Sequence, residues 1–177
     1  MKKPLTVMTV IVLLALSASS AFADGFGFDL GGLTSLFRMQ SDAQTYEPGE
    51  TAVVGDYEIT MTNLLESKGS QYGKPDKGNV FVIAEFTIKN NSKEDLDISS
   101  IMCFSAEADG TTYSLSFTAD TVAMFSGMIQ FDMSIAPGKT GTGIVGYEVP
   151  EKWKELRITV TPDFFSSEKA AFLMKKE

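Results

Sequence analysis

Beyond residue 45 the chain alternates apolar and polar side chains with a period of two. In Tyr57-Glu-Ile-Thr-Met61, Tyr57, Ile59 and Met61 share one face while Glu58, Thr60 and Thr62 share the other. That is a strand with one buried and one wet side. In the run NVFVIAEFTIKNNS, Val80, Val82, Ala84, Phe86 and Ile88 point one way, and Phe81 and Ile83 point the other before Glu85, Thr87 and Lys89 restore polarity. This predicts a central strand whose first half is covered on both faces. Further strands are predicted over residues 98–108, back through an Asp109-Gly110 hairpin along Thr111, Tyr113, Leu115 and Phe117, and along Ile129, Phe131, Met133 and Ile135. Two more follow, over residues 140–149 after a Pro137-Gly138 turn and along Leu156, Ile158 and Val160. Residues 68–79 (KGSQYGKPDKGN) and 90–95 are dense in turn formers and charge and read as exposed connections. About eight short strands with turn signals at near-regular spacing predict an all-β antiparallel sandwich over residues 45–162. The tail DFFSSEKAAFLMKKE, residues 163–177, is predicted to be a short C-terminal helix capped by Ser166 or Ser167, with Phe165 and Phe172 on one face against the sandwich.

The chain before residue 45 follows other rules. Met1-Lys2-Lys3, an apolar run over residues 5–16 and small residues ending in Ala21-Phe22-Ala23 match the three parts of a secretory signal. The run is well short of the ~20 residues a helix needs to cross a bilayer. Residues 1–23 are therefore expected to be cleaved, leaving Asp24 first and no transmembrane segment. A lipoprotein signal would place Cys at that position, so no lipid anchor is expected. Residues 24–44 form a Phe/Gly-rich leader. Within it Leu30, Leu33 and Phe37 would share a helical face, which Gly31 and Gly32 weaken. The leader is either a passive joint between signal and domain or a docking segment, with Phe26, Phe28, Leu30, Leu33 and Phe37 as its contact side chains.

Composition narrows what such a domain does. Without residues 1–23, 154 of the 177 residues remain, enough for one domain with a substantial core. Those residues carry 13 basic and 23 acidic side chains, a net charge of −10. Nucleic acid is therefore not expected as a partner. The absence of His excludes Ser-His-Asp and Cys-His pairs and any His-containing zinc site. The single Cys103 excludes an internal disulfide and Cys-only clusters, and its apolar neighbours Met102 and Phe104 read as the setting of a buried, inert thiol. No cofactor is expected. The chemistry left open is that of paired carboxylates, a Ser-Lys arrangement, or a metal held by oxygen ligands.

Two stretches carry a family resemblance. FVIAEFTIKNNSKEDLDI resembles a strand running into an Asn-rich turn, and SIAPGKTGTGIVGYEVP resembles a Pro-Gly turn leading into a strand that ends in Val-Pro. Together they are similar to the immunoglobulin-like domain of unknown function found in bacterial exported proteins and lipoproteins, whose fold is similar to a mycobacterial secreted immunogenic protein. The resemblance covers about residues 46–162 and implies an immunoglobulin-like sandwich outside the membrane with no assigned catalytic residues. It carries Pro137, Gly138, Val149 and Pro150 as fold-forming positions. The chain departs from antibody domains in lacking their paired Cys and core Trp, since Trp153 sits in the EKWKEL turn.

Candidate sites are few. Glu94, Asp95 and Asp97, with Asp76 in the long loop, are the acidic positions from which a calcium site would be built, but no D-x-[DN]-x-[DN]-G loop occurs and a solvated turn explains them. Gly138, Gly141, Gly143 and Gly146 precede a strand and not a helix, so turn formation and close strand packing explain them better than phosphate binding. Two function classes remain. One is a secreted, non-catalytic binding or adhesion module engaging a protein or cell-envelope component, with self-association open. The other is a small carboxylate-dependent hydrolase.

Overall fold

The computed structural model describes residues 43–163 and 167–176. The predicted signal peptide (1–23) and the docking side chains Phe26, Phe28, Leu30, Leu33 and Phe37 lie outside the described residues, as do Phe165 and Ser166.

The strands are β1 (Gln44–Tyr46), β2 (Thr51–Val54), β3 (Tyr57–Ser67), β4 (Asn79–Asn90), β5 (Leu96–Ile98), β6 (Phe104–Ala108), β7 (Thr111–Tyr113), β8 (Met133–Ile135), β9 (Thr140–Pro150), β10 (Glu155–Val160) and β11 (Ala170–Lys175). A helical turn, α1 (Ser100–Cys103), separates β5 from β6, and a two-turn helix, α2 (Phe117–Met124), follows β7. Two main sheets form, ordered β2-β3-β4-β9 and β1-β11-β10-β6-β7, with a small β5-β8 pair beside them. Their facing sides share one core, in which Phe86 of β4 meets Phe104 of β6 at 5.2 Å and Phe172 of β11 at 5.5 Å between ring centroids. Full burial of each such side chain contributes roughly 1.5–3 kcal/mol.

Local chemistry sets the register. Asp109 and Gly110 both adopt positive φ (48° and 80°), the two-residue hairpin that matches strand twist, and Ala108 pairs with Thr111 across it. Gly138 at φ 71° follows Pro137 in a turn closed by the Lys139 amide donating to the Ala136 carbonyl at 3.0 Å. Along β3 a bulge between Met61 and Asn63 shifts the parity, so that Ile59 and Met61 face inward before it and Leu64, opposite Ala84, after it. In β4 every residue from Val80 to Ala84 is buried, as the sequence predicts for a strand covered on both faces.

The structure corrects the sequence reading in four places. The predicted C-terminal helix is instead β11, antiparallel to β10 on one side and parallel to β1 on the other. The apolar run Ala170–Met174 fits either period, and two flanking ladders decide for the strand. The sandwich therefore runs on past residue 162 to Lys175, and its β1–β11 edge is parallel rather than antiparallel. The predicted strand over 98–108 is broken by α1, where Ser100 turns to bond Asp132. Finally, the alternation expected through Phe117 stops as a strand at Tyr113, and that over 129–135 shrinks to β8, because the chain between them forms α2 and its flanks, with Leu115 and Gln130 keeping only isolated bridges to Tyr147 and Ile144 of β9.

Candidate functional site

The predicted acidic positions divide between two regions. Glu94, Asp95 and Asp97 join Asp56 and Asp163 along an open groove of about 690 Å³, formed by the β2–β3 turn, the β4–β5 connection and the segment after β10. The turn beneath it closes on itself: the Asn90 side chain donates to the Glu94 and Ile135 carbonyls at 2.7 and 2.8 Å, and accepts from the Ser92 amide. Asp76 stands apart, its amide donating to Glu148 Oε1 at 2.8 Å. Among the described residues no three His, Cys, Asp or Glu side chains converge as metal ligands. Cys103 is buried; its Sγ accepts from the Ser99 amide at 3.5 Å, and burial pushes the thiol up, which removes the thiolate that reactivity requires.

The glycines of β9 have a packing role. A Cβ on Gly141 would meet Ile135 Cδ1 at 2.7 Å, on Gly143 the Phe131 Cα at 2.8 Å, and on Gly146 the Asp120 Oδ1 at 2.7 Å and the Ala119 Cβ at 2.8 Å. The three let β8, the Phe131 segment and α2 approach β9 closely. The same segment occupies the free edge of β9: the Ser116 amide donates to the Gly146 carbonyl, the Ile144 amide to the Ile129 carbonyl, and the Phe131 amide to the Ile144 carbonyl, at 2.8–3.0 Å. An edge that would otherwise offer unpaired backbone groups is closed.

Helix α2 thus lies over the outer side of the β4–β9 pair. Ser116 caps it, accepting from the Ala119 amide at 3.2 Å, and Gly127 at φ 89° turns the chain after it. Its inner residues Ala119 and Val122 pack on Phe81, and Ala123 packs on Ile83 and Ile144. Its outer side is also apolar. Phe117 is 64% exposed, Met124 50%, Phe125 62% and Ile129 67%. Tyr72, at the tip of the β3–β4 loop, stacks on Phe125 with ring centroids 3.6 Å apart and planes 7° from parallel. Gly73 lets this tip close on the helix, since a Cβ there would meet Thr118 Cγ2 at 2.3 Å.

A buried polar chain runs beneath α2. Asp120 is 2% exposed; its Oδ2 accepts from the Gln130 amide group at 3.1 Å, which also donates to Ser100 Oγ at 3.2 Å. Ser100 in turn donates to the exposed Asp132 through both its Oγ and its backbone N–H, each at 2.8 Å. Among the described residues, neither Asp120 Oδ1 nor the Tyr147 hydroxyl, both buried, has a partner within hydrogen-bond geometry. Burial pushes the Asp120 carboxyl up to about 7; the Asp132 charge adds to this and the Gly146 amide opposes it. Burial, then the Asp120 charge, holds the Tyr147 phenol well above its usual range.

The model of the domain of unknown function DUF4352 matches residues 46–171, well over half the chain. The chain belongs to the DUF4352 family. A sequence relative is the uncharacterized protein YxkC of Bacillus subtilis, 28% identical over 120 residues, which cover 62% of this chain and 65% of YxkC. Among solved structures, a candidate lipoprotein of Bacillus subtilis, ycdA, superposes with a TM-score of 0.59 at 17% identity, covering 73% of this chain and 39% of ycdA. The secreted protein MPT63 of Mycobacterium tuberculosis superposes with a TM-score of 0.50 at 13% identity, covering 77% of this chain and 99% of MPT63. At these identities the likeness shows a shared β-sandwich fold. This DUF4352 chain spans less than two thirds of YxkC and of ycdA. The proteins that share this fold include a secreted protein and a candidate lipoprotein, and no helix among the described residues is long and apolar enough to cross a membrane.

Neither Tyr72 nor the α2 side chains stand among the sequence-predicted site residues of this DUF4352 domain. Two signals marked the helix: Ser116 at its start and Gly127 just past its end. No sequence signal marked the stack of Tyr72 on Phe125, because the two rings come from separate connections.

Proposed function

We propose that this DUF4352 domain is an exported, non-catalytic binding module that meets a cell-envelope component through the outer side of α2. The observation that carries the reading is the exposure of Phe117, Met124, Phe125 and Ile129 beside the stacked Tyr72, on a stretch where Asp120 is the only charged residue between Leu115 and Gln130. Contiguous apolar surface rimmed by polar loops is what interaction sites expose. The export signal predicted at residues 1–23 supports an envelope or extracellular setting.

The hydrolase reading rests on the carboxylates of the groove. It needs one carboxyl held protonated across a cleft from an ionised one. The carboxyl that burial holds up is Asp120, which lies under α2 and not in the groove. The test is partition of exported protein between envelope and medium, for wild type and for the Phe117→Ser/Phe125→Ser double variant. The variant is expected in the medium with an unchanged melting temperature. Partition equal to wild type sinks the reading.

A further inference from the structure

We propose that Ser100 and Gln130 condense within the chain: the Ser100 hydroxyl attacks the Gln130 side-chain amide, an ester joins the two residues, and ammonia leaves. This goes beyond the binding-module reading and does not depend on it. Four side chains of the polar chain beneath α2 stand in the order such a step needs. Ser100 is fully buried, and its Oγ lies between Asp132 Oδ2, which accepts its proton at 2.8 Å, and Gln130 Nε2 at 3.2 Å. The Ser100 backbone N–H donates to the other Asp132 oxygen at 2.8 Å, so nucleophile and base are held to each other at two points. On the far side of the amide, Asp120 Oδ2 lies 3.1 Å from the same Nε2, the atom that must leave. Burial raises the Asp120 carboxyl to about 7, which keeps on it the proton a departing nitrogen requires. As a structural strut the same chain is poorly made, because a buried carboxyl whose Oδ1 has no partner among the described residues costs stability.

The step balances without a co-reactant. Rotation about the soft terminal torsion of Gln130 turns the face of its amide toward Oγ. The Oγ–H bond of Ser100 breaks toward Asp132, the Oγ–Cδ bond forms, and the Cδ–Nε2 bond breaks as Asp120 protonates the nitrogen. The proton left on Asp132, which is exposed, returns through water to Asp120, and nothing is oxidised or reduced. Holding one hydroxyl against one amide replaces a bimolecular encounter, and conversion of the released ammonia to ammonium draws the exchange toward the ester. Burial of Ser100 then keeps out the water that would hydrolyse the product. The link closes residues 100–130 into a loop that contains β6, β7 and α2. In a chain with a single Cys, it supplies the covalent tie that an internal disulfide cannot.

The experiment is mass spectrometry of the purified chain, intact and after digestion. The expected chain is lighter than its sequence by one ammonia, and the peptides that carry Ser100 and Gln130 travel as one. Alkaline hydroxylamine should split that pair and leave a hydroxamate on residue 130, which separates an ester from ammonia lost elsewhere. Ser100→Ala and Gln130→Glu should keep the full mass of their sequences. Because Ser100 is buried, Asp132→Asn at an exposed position is the second variant: it should fold as wild type does and link about a hundredfold more slowly, as should Asp120→Asn. Full mass with separate peptides after prolonged incubation of the folded chain overturns the proposal, as does ammonia loss mapped to any other position. Linking at the wild-type rate in both aspartate variants overturns the roles given to the two carboxyls. Because the link adds stability of its own, Asp120→Asn is compared with wild type for stability with Ser100→Ala in both chains.

Discussion

Asp120 shows how one side chain sets a pH dependence. Its folded-state pKa is raised from 3.8 to about 7, so the folded chain holds this proton where the unfolded chain has released it. The stability it contributes is fully present below about pH 4 and is lost as pH rises through about 7, a swing on the order of a few kcal/mol. Asp120→Asn keeps the shape and removes the titration. Its denaturant midpoint should match wild type near pH 4 and exceed it at pH 8, and parallel curves across that range would contradict the burial argument. Gly146, directly beneath Asp120, makes the complementary case: Gly146→Ala sets a methyl 2.7 Å from Asp120 Oδ1 and 2.8 Å from the Ala119 Cβ. Lifting α2 to make room should cost about 1–3 kcal/mol, read as a lowered urea midpoint.

Elements differ in how plainly the chain announces them. For β4 the alternation of Val80, Val82, Ala84, Phe86 and Ile88 against Phe81 and Ile83 specified a strand covered twice, and that is its place, with the core on one side and α2 on the other. For β11 the pattern was silent, because Ala170 to Met174 is apolar throughout and short enough to suit either period. Its neighbours decided: Phe172 pairs with Ile158 and Tyr46 and is fully buried against Phe86. Truncation after Pro162 should therefore abolish the cooperative melt, and Phe172→Ala should cost about 3–5 kcal/mol by chemical denaturation. A truncated chain that melts like wild type would mean that β11 is dispensable. In α2 the alternating Thr111, Tyr113, Leu115 and Phe117 extended a strand pattern into a helix, and the Ser116 cap with Gly127 beyond was the competing signal that prevailed.

At the scale of the whole molecule, the buried core of the described residues runs from Ala52 to Met174, and β1 begins at Gln44. A chain beginning at Ser41 keeps all of it and should melt with the full-length protein. If residues 24–40 are a tether and not a passive joint, that shorter chain shifts from envelope to medium; equal partition assigns the leader no holding role. The amino-acid sequence by itself determined the sandwich, the doubly covered β4, the Asp109-Gly110 and Pro137-Gly138 turns, and the exclusion of every His-dependent chemistry. Each of these follows from a period of two, a demanded φ or a missing side chain, and all three are local properties of the chain. Tertiary structure decided what the tail pairs with, why Gly141, Gly143 and Gly146 carry no side chain, and that Tyr72 meets Phe125 over a buried Asp120. Those depend on which distant segments come to share a surface, and contacts between residues far apart in sequence leave no mark on the periodicity of either segment.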